Sequence, residues 1–147
     1  MKILLLLLCV SSLGWGQNAT RQFVNVEKSG SGFQVNVSDG SYFFNAYSDK
    51  VIETTFVPLG QQISGNSHTV VAKVKEHTFE MSQYKGMIQL KIPSGFLVLI
   101  QQKPFQSSYW YQGKQVISEN WGYEKALEAA KIHFNLTQDE MLYGAGA

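Results

Sequence analysis

Short runs in which apolar and polar residues alternate recur along most of the chain, with turn-forming residues between them. Alternate residues of a β-strand point to the same face, so each run predicts a strand with one buried face. In Gly32–Val37 the residues Phe33, Val35 and Val37 are predicted to face inward. Comparable runs predict further strands at Gln22–Val26, Tyr42–Tyr47, Val51–Val57, Thr69–Lys75, Phe79–Met81, Met87–Ile92 and Gln115–Ser118.

Two segments depart from this pattern. Phe96–Ile100 is apolar at every position, which predicts a central strand covered on both faces, with Phe96, Val98 and Ile100 buried. Tyr123–Lys131 has helix-forming composition, but it is too short for an independent helix, so we expect a turn or a single helical turn. Many short strands with turns about every 8–12 residues predict an all-β fold, an antiparallel β-sandwich or barrel.

The first 16 residues have a composition of their own. Lys2 precedes the apolar run Ile3–Val10, and Gly14 and Gly16 give the small-x-small pattern of a cleavage site. This order predicts a signal peptide at residues 1–16, and therefore a secreted or periplasmic protein. The run is shorter than the roughly 20 apolar residues that a membrane-spanning helix needs, so no membrane span is expected. Cleavage would remove Cys9, the one cysteine, and with it any disulfide.

Charge and histidine spacing exclude several classes of partner. Removing Lys2 takes the formal net charge of +1 to zero, and no basic cluster is present, which argues against nucleic acid. His68, His77 and His133 lack the spacing of metal ligands, so neither a metal nor a cofactor is predicted.

An aromatic cluster is the main candidate for ligand binding. Tyr109, Trp110, Tyr111 and Trp121 could form a platform on which a sugar ring stacks, or they could belong to the core or to a domain interface. On a strand Trp110 faces away from its two tyrosine neighbours, so at least one of the two sets is expected in the core. Trp110 and Trp121 remain the candidate substrate-binding residues.

The segment Lys131–Ala147 carries a motif. Ile132, Phe134 and Leu136 alternate, and Asp139-Glu140, Met141-Leu142 and Tyr143-Gly144-Ala145-Gly146 follow. This order resembles the signature that closes the N-terminal β-sandwich of glycoside hydrolase family 31, the α-glucosidase and α-xylosidase family. Gly95–Ile100 and Lys103-Pro104-Phe105 are similar to that domain's glycine-led central strand and its x-Pro-Phe corner. Ala147 stands where the family usually has Glu.

The resemblance implies a galactose-mutarotase-like sandwich over residues 17–147, truncated before a (β/α)₈ barrel. In that family the barrel holds the two carboxylates that hydrolyse or transfer α-glycosides with retention. The partners would then be the missing barrel and, through the parent enzyme, carbohydrate. Asp139, Glu140, Tyr143, Gly144 and Gly146 would form the domain-crossing motif.

No catalytic residue is expected in this chain itself. Asp139 and Glu140 are adjacent, and consecutive residues on a loop tend to diverge, whereas retaining glycosidases need two carboxylates about 5–5.5 Å apart. Two alternatives remain. A free-standing carbohydrate-binding module would need an exposed row of aromatic residues, and a mutarotase-type enzyme would need a paired acid and base in a groove.

Overall fold

A computed structural model describes residues 20–63, 79–125 and 130–136, and within these ranges it is all-β, with two antiparallel sheets and no helix. The first sheet is a four-stranded meander in the order of the chain. Its strands are β1 (Phe23–Ser29), β2 (Gly32–Val37), β3 (Gly40–Ser48) and β4 (Val51–Pro58). The prediction of an all-β antiparallel fold is therefore confirmed.

The second sheet has six strands in the order β10-β9-β8-β7-β6-β5, so it is also a meander. Its strands are β5 (Glu80–Tyr84), β6 (Met87–Lys91), β7 (Phe96–Gln102), β8 (Phe105–Tyr111), β9 (Lys114–Lys125) and β10 (Ala130–Asn135). The strands β5 and β10 lie at its two edges.

The two sheets pack face to face. Ring contacts join β3 to β8 (Tyr42 and Phe105, centroids 5.4 Å apart) and β4 to β9 (Phe56 and Tyr123, 4.8 Å). The inward residues of β2, namely Phe33, Val35 and Val37, are buried as their alternation predicts. The core therefore lies between the sheets, as in a β-sandwich.

The prediction that β7 is a central strand covered on both faces is confirmed in part. Val98 and Ile100 are fully buried, and Phe96 is half-buried against the core. Leu97 and Leu99, on the opposite face, are also half-buried. The apolar run therefore belongs to an interior strand, but only Val98 and Ile100 on its inner face are completely covered.

The strand β9 is longer than the predicted Gln115–Ser118. Its pairing shifts register once against β8, between Tyr109 and Trp110, and once against β10, between His133 and Phe134. Such bulges place extra residues in one strand and break simple alternation, which hid the second half of β9. Tyr123 pairs with Ile132, so the described ends of the Tyr123–Lys131 segment form strand, and the expected turn falls on residues 126–129, outside the described ranges.

Several other predictions also fall outside the described residues. They concern the signal peptide at 1–16, the strand Thr69–Lys75, the histidines His68 and His77, and the motif residues Asp139, Glu140, Tyr143, Gly144 and Gly146. Within the described ranges, no helix has the length and hydropathy needed to cross a membrane.

Candidate functional site

A pocket of about 290 Å³ lies between the sheets, on the side where β9 and β10 face β3 and β4. Its walls are apolar or aromatic apart from one carboxylate and a few hydroxyls. The lining residues are Tyr42, Ile52, Thr54, Phe56, Phe96, Tyr109, Val116, Ile117, Glu119, Tyr123, Ile132 and Phe134. An apolar concavity with a few convergent polar groups has the composition of ligand sites in proteins.

Aromatic rings connect the two walls of this pocket. The Tyr42 and Phe56 centroids are 4.7 Å apart on the first sheet, and Phe56 lies 4.8 Å from Tyr123 on the second. Tyr109 donates a hydrogen bond of 2.8 Å from its hydroxyl to Thr54 Oγ1, which joins β8 to β4. Burial is the main cause that raises the pKa of Tyr109, so its hydroxyl stays protonated and available as a donor.

Arg21 joins the sheets at one end of the pocket. Its side chain is buried and forms a bidentate pair with Asp39, with Nε–Oδ1 and Nη2–Oδ2 distances of 2.8 and 2.7 Å. Nη1 donates to the Tyr42 hydroxyl at 2.5 Å, and Nη2 donates to the carbonyl of Tyr123 at 2.7 Å. One guanidinium thus connects the β2–β3 turn, β3 and β9.

The guanidinium remains charged despite its burial. Burial by itself lowers the pKa of Arg21, but the hydrogen bond with Asp39 and the nearby Tyr42 and Glu119 outweigh this effect and raise it. The guanidinium carbon also lies 4.7 Å from the Phe56 ring centroid, which is within cation–π distance.

Glu119 contributes the carboxyl group of the pocket. It is 6% exposed, and its Oε2 accepts a long hydrogen bond of 3.3 Å from the Tyr42 hydroxyl. Burial raises the pKa of Glu119, and the opposing effects of the Ser107 hydroxyl, Tyr42 and Arg21 do not cancel that increase. A carboxyl group with a raised pKa inside a pocket is typical of functional sites, although structural networks also produce it.

A glycine lets β9 approach this cluster. Gly122 has a positive φ of 63°, and a Cβ there would lie 2.6 Å from Tyr42 Oη, 2.8 Å from Glu119 Oε2 and 2.9 Å from Arg21 Nη1. Any larger residue would displace these three side chains. The glycine is therefore required by the close approach of strand and cluster.

The two candidate tryptophans do not form one platform. Trp110 is half-buried, lies opposite Gln115 near the β8–β9 turn, and donates from Nε1 to Ser108 Oγ at 2.9 Å. Trp121 lies farther along β9, beyond Ser118, and is 44% exposed. The two residues are thus at opposite ends of the β8–β9 pair, and Tyr109 belongs to the core.

Trp121 has a neighbour that the sequence did not reveal. Its ring centroid lies 5.6 Å from that of His133, and His133 Nε2 lies 2.9 Å from Glu124 Oε2. Because this contact depends on the register after the β9–β10 bulge, spacing alone could not predict it. Neither His133 nor Glu124 lines the pocket, so they do not form an acid–base pair in it.

The edge strand β10 exposes apolar side chains. Ile132 and Phe134 lie at the pocket and are 60% and 43% exposed, and Leu136 directly after the strand is 49% exposed. We call these three residues the β10 patch. Among the described residues, no group of His, Cys, Asp and Glu could hold a metal ion.

In comparisons with known proteins, no protein-family model and no curated protein matches the chain. The resemblance of its closing segment to glycoside hydrolase family 31 therefore remains a proposal.

Proposed function

We propose that this chain is the non-catalytic N-terminal domain of a secreted or periplasmic α-glycosidase resembling glycoside hydrolase family 31. Its fold would be galactose-mutarotase-like. Its role would be to pack against a barrel whose carboxylates hydrolyse or transfer α-glycosides. The observation that carries the proposal is the β10 patch, which leads directly into the motif that resembles the family's domain-crossing signature.

Edge strands of independent domains are usually protected by charge, proline or covering loops, because their free backbone groups pair readily with other chains. The edge strand β1 places Glu27 and Lys28 on its exposed surface. The edge strand β10 also exposes a charged residue, Lys131, but beside it lie two exposed large apolar side chains, Ile132 and Phe134. Exposed apolar residues grouped in this way mark interaction surfaces, and a neighbouring domain is the partner that the following motif suggests.

The pocket does not support a glycosidase centre in this domain. Retaining glycosidases need two carboxylates about 5–5.5 Å apart. Glu119 is the one carboxylate among the described residues that line the pocket. Under the proposal the catalytic carboxylates belong to another domain.

The test compares two aliphatic residues on edge strands with nearly equal exposure, Ile132 at 60% and Val24 at 59%. We expect Ile132→Ser to reduce hydrophobic-dye fluorescence and self-association of the chain, because it interrupts the β10 patch. Val24→Ser should leave both unchanged. If the two variants behave alike, β10 is not a docking surface and the proposal fails.

A second, independent test is the nucleotide sequence downstream of the Ala147 codon in the source genome. The proposal requires an open reading frame that continues into a (β/α)₈ barrel. The chain alone should also leave aryl α-glycosides unhydrolysed, and turnover that Asp139→Asn abolishes would place the chemistry in this domain instead.

The second candidate function is that of a free-standing carbohydrate-binding module, and the exposed Trp121 ring favours it. Beside this ring lie His133 and Glu124, which could hydrogen-bond to sugar hydroxyls. Affinity electrophoresis in soluble α-glucans distinguishes the two functions. Retardation that Trp121→Ala removes and Trp110→Ala preserves would support the module, whereas migration unaffected by glucan would exclude α-glucan binding.

A further inference from the structure

The pocket between the sheets has a composition that the proposed domain-packing role does not explain. The described residues that line it include six aromatic side chains and one carboxyl group, that of Glu119. The rings are Tyr42, Phe56, Phe96, Tyr109, Tyr123 and Phe134. Aromatic faces carry partial negative charge, so rings grouped around a carboxylate produce a region that favours cations.

The positive charge already present, that of Arg21, lies at one end of the pocket against the Tyr42 and Phe56 rings. Arg21 forms its ion pair with Asp39, and no ion pair to Glu119 occurs among the described residues. Of the two carboxylates near this guanidinium, Asp39 forms an ion pair with it and Glu119 does not. Asp39 is about half exposed to solvent, whereas Glu119 is buried. An ionised Glu119 lacks a cation in direct contact, and burying a charge without a partner is costly.

We propose that this pocket binds a small organic cation, an ammonium group carried on an apolar or aromatic body. The ammonium group would lie against the Glu119 carboxylate and the tyrosine rings, and the body would fill the apolar remainder. The volume of about 290 Å³ suits a small ligand. This inference goes beyond the proposed domain packing, and it shares Ile132 and Phe134 with the β10 patch.

A sugar fits the same pocket less well. A pyranose presents hydroxyls around its whole circumference, and each buried hydroxyl needs a hydrogen-bond partner. The Tyr109 hydroxyl already donates to Thr54 Oγ1, and the Tyr42 hydroxyl lies between Arg21 and Glu119. Most of the polar groups in the lining are thus engaged, which leaves Glu119 as the main acceptor.

The test uses phenyltrimethylammonium and tert-butylbenzene, which have the same shape and differ in charge. Both are titrated into the whole chain, and the amide signals of Ile117 and Glu119 are followed by NMR. We expect the cation to bind at least about tenfold more tightly than its neutral isostere, because cation–π and charge–charge contacts are lost in the isostere.

The variant Glu119→Gln keeps the side-chain volume and removes the charge. This variant should lower the affinity for the cation about tenfold and change the affinity for the neutral isostere by no more than about twofold. Cation affinity of the wild type should also rise with pH as Glu119 ionises, while Arg21, Tyr42 and Tyr109 keep their protons. The variant should lack this dependence.

Three results would overturn the proposal. One is equal affinity of the wild type for cation and isostere, a comparison that needs no variant and stands even if Glu119→Gln does not fold. Another is the absence of shifts at Ile117 and Glu119 with either probe. The third is tighter binding of methyl α-D-glucopyranoside than of the cation at the same amides, which would make the pocket a sugar site.

Discussion

The space between the sheets contains two regions that differ in composition. In the closed region β2, β3, β6 and β7 contribute only apolar side chains that are completely buried, namely Val35, Phe44, Ile88, Leu90, Val98 and Ile100. In the open region β8, β9 and β10 face β3 and β4 across a pocket, Glu119 is buried, and Ile132 and Phe134 are exposed. Burial of apolar surface explains the first region completely. The open region retains exposed apolar surface and buried charge. Folding alone does not favour these features, whereas binding of a partner or ligand would explain them.

The largest expected effect is a difference in how much a side chain of each region contributes to the free energy of unfolding. Leu90→Ala removes a completely buried side chain and should lower the free energy of unfolding by about 2–5 kcal/mol. Ile132→Ala removes a mostly exposed one and should change it by about 0.5 kcal/mol or less. Urea unfolding of both variants measures the difference. Similar losses would mean that Ile132 is packed and that the two regions do not differ.

The next effect concerns the Arg21 contacts. Arg21→Met keeps an apolar side chain of comparable length but leaves the Tyr42 hydroxyl and the Tyr123 carbonyl without their donor. We expect a loss of about 2–3 kcal/mol in the free energy of unfolding, since hydrogen bonds to charged groups contribute about 1.5–3 kcal/mol.

The matched control is Asp39→Asn. Asp39 is about half exposed, so water replaces part of its ion pair and the loss should be the smaller of the two. If Asp39→Asn is as destabilising as Arg21→Met, the surface ion pair, and not the connection between the sheets, accounts for the stability.

The smallest effect is a pH dependence of stability. The folded-state pKa of Glu119 is raised above its ordinary value of 4.5, so between these two values the folded protein binds more protons than the unfolded one. The contribution of Glu119 to stability is therefore complete below pH 4.5 and declines as the pH rises through the folded-state pKa. Urea unfolding across this window, compared with Glu119→Gln, isolates the effect. A difference between the two proteins that does not change with pH would contradict it.

The strands of the closed region could be predicted from the sequence because each depends on local alternation. Val35 and Ile88 lie in runs whose period of two indicates both the strand and its inward face. The open region could not be predicted in this way. Arg21 and Glu119 are far apart in the chain, and the contacts in their cluster depend on how two sheets pack and on two bulges in the pairing of β9.

One signal in the sequence could have indicated part of the site. Ile117 and Glu119 are two residues apart on one strand, so the carboxylate shares a face with an inward apolar residue. A charged residue at such a position is rarely buried unless it has a partner or a function. Trp121, in contrast, owes its position to the bulge between β9 and β10, and no alternation pattern shows that.

The central claim is that β10 is a docking surface, and hydroxyl-radical footprinting tests it most directly. The 147-residue chain is compared with the product of the complete reading frame in the source genome. Phe134 on β10 should be labelled in the chain alone and become protected in the longer protein. Tyr84, which is 68% exposed on the opposite edge strand β5, should be labelled equally in both. Equal labelling of Phe134 in the two proteins, or a reading frame with no further domain, would contradict the account.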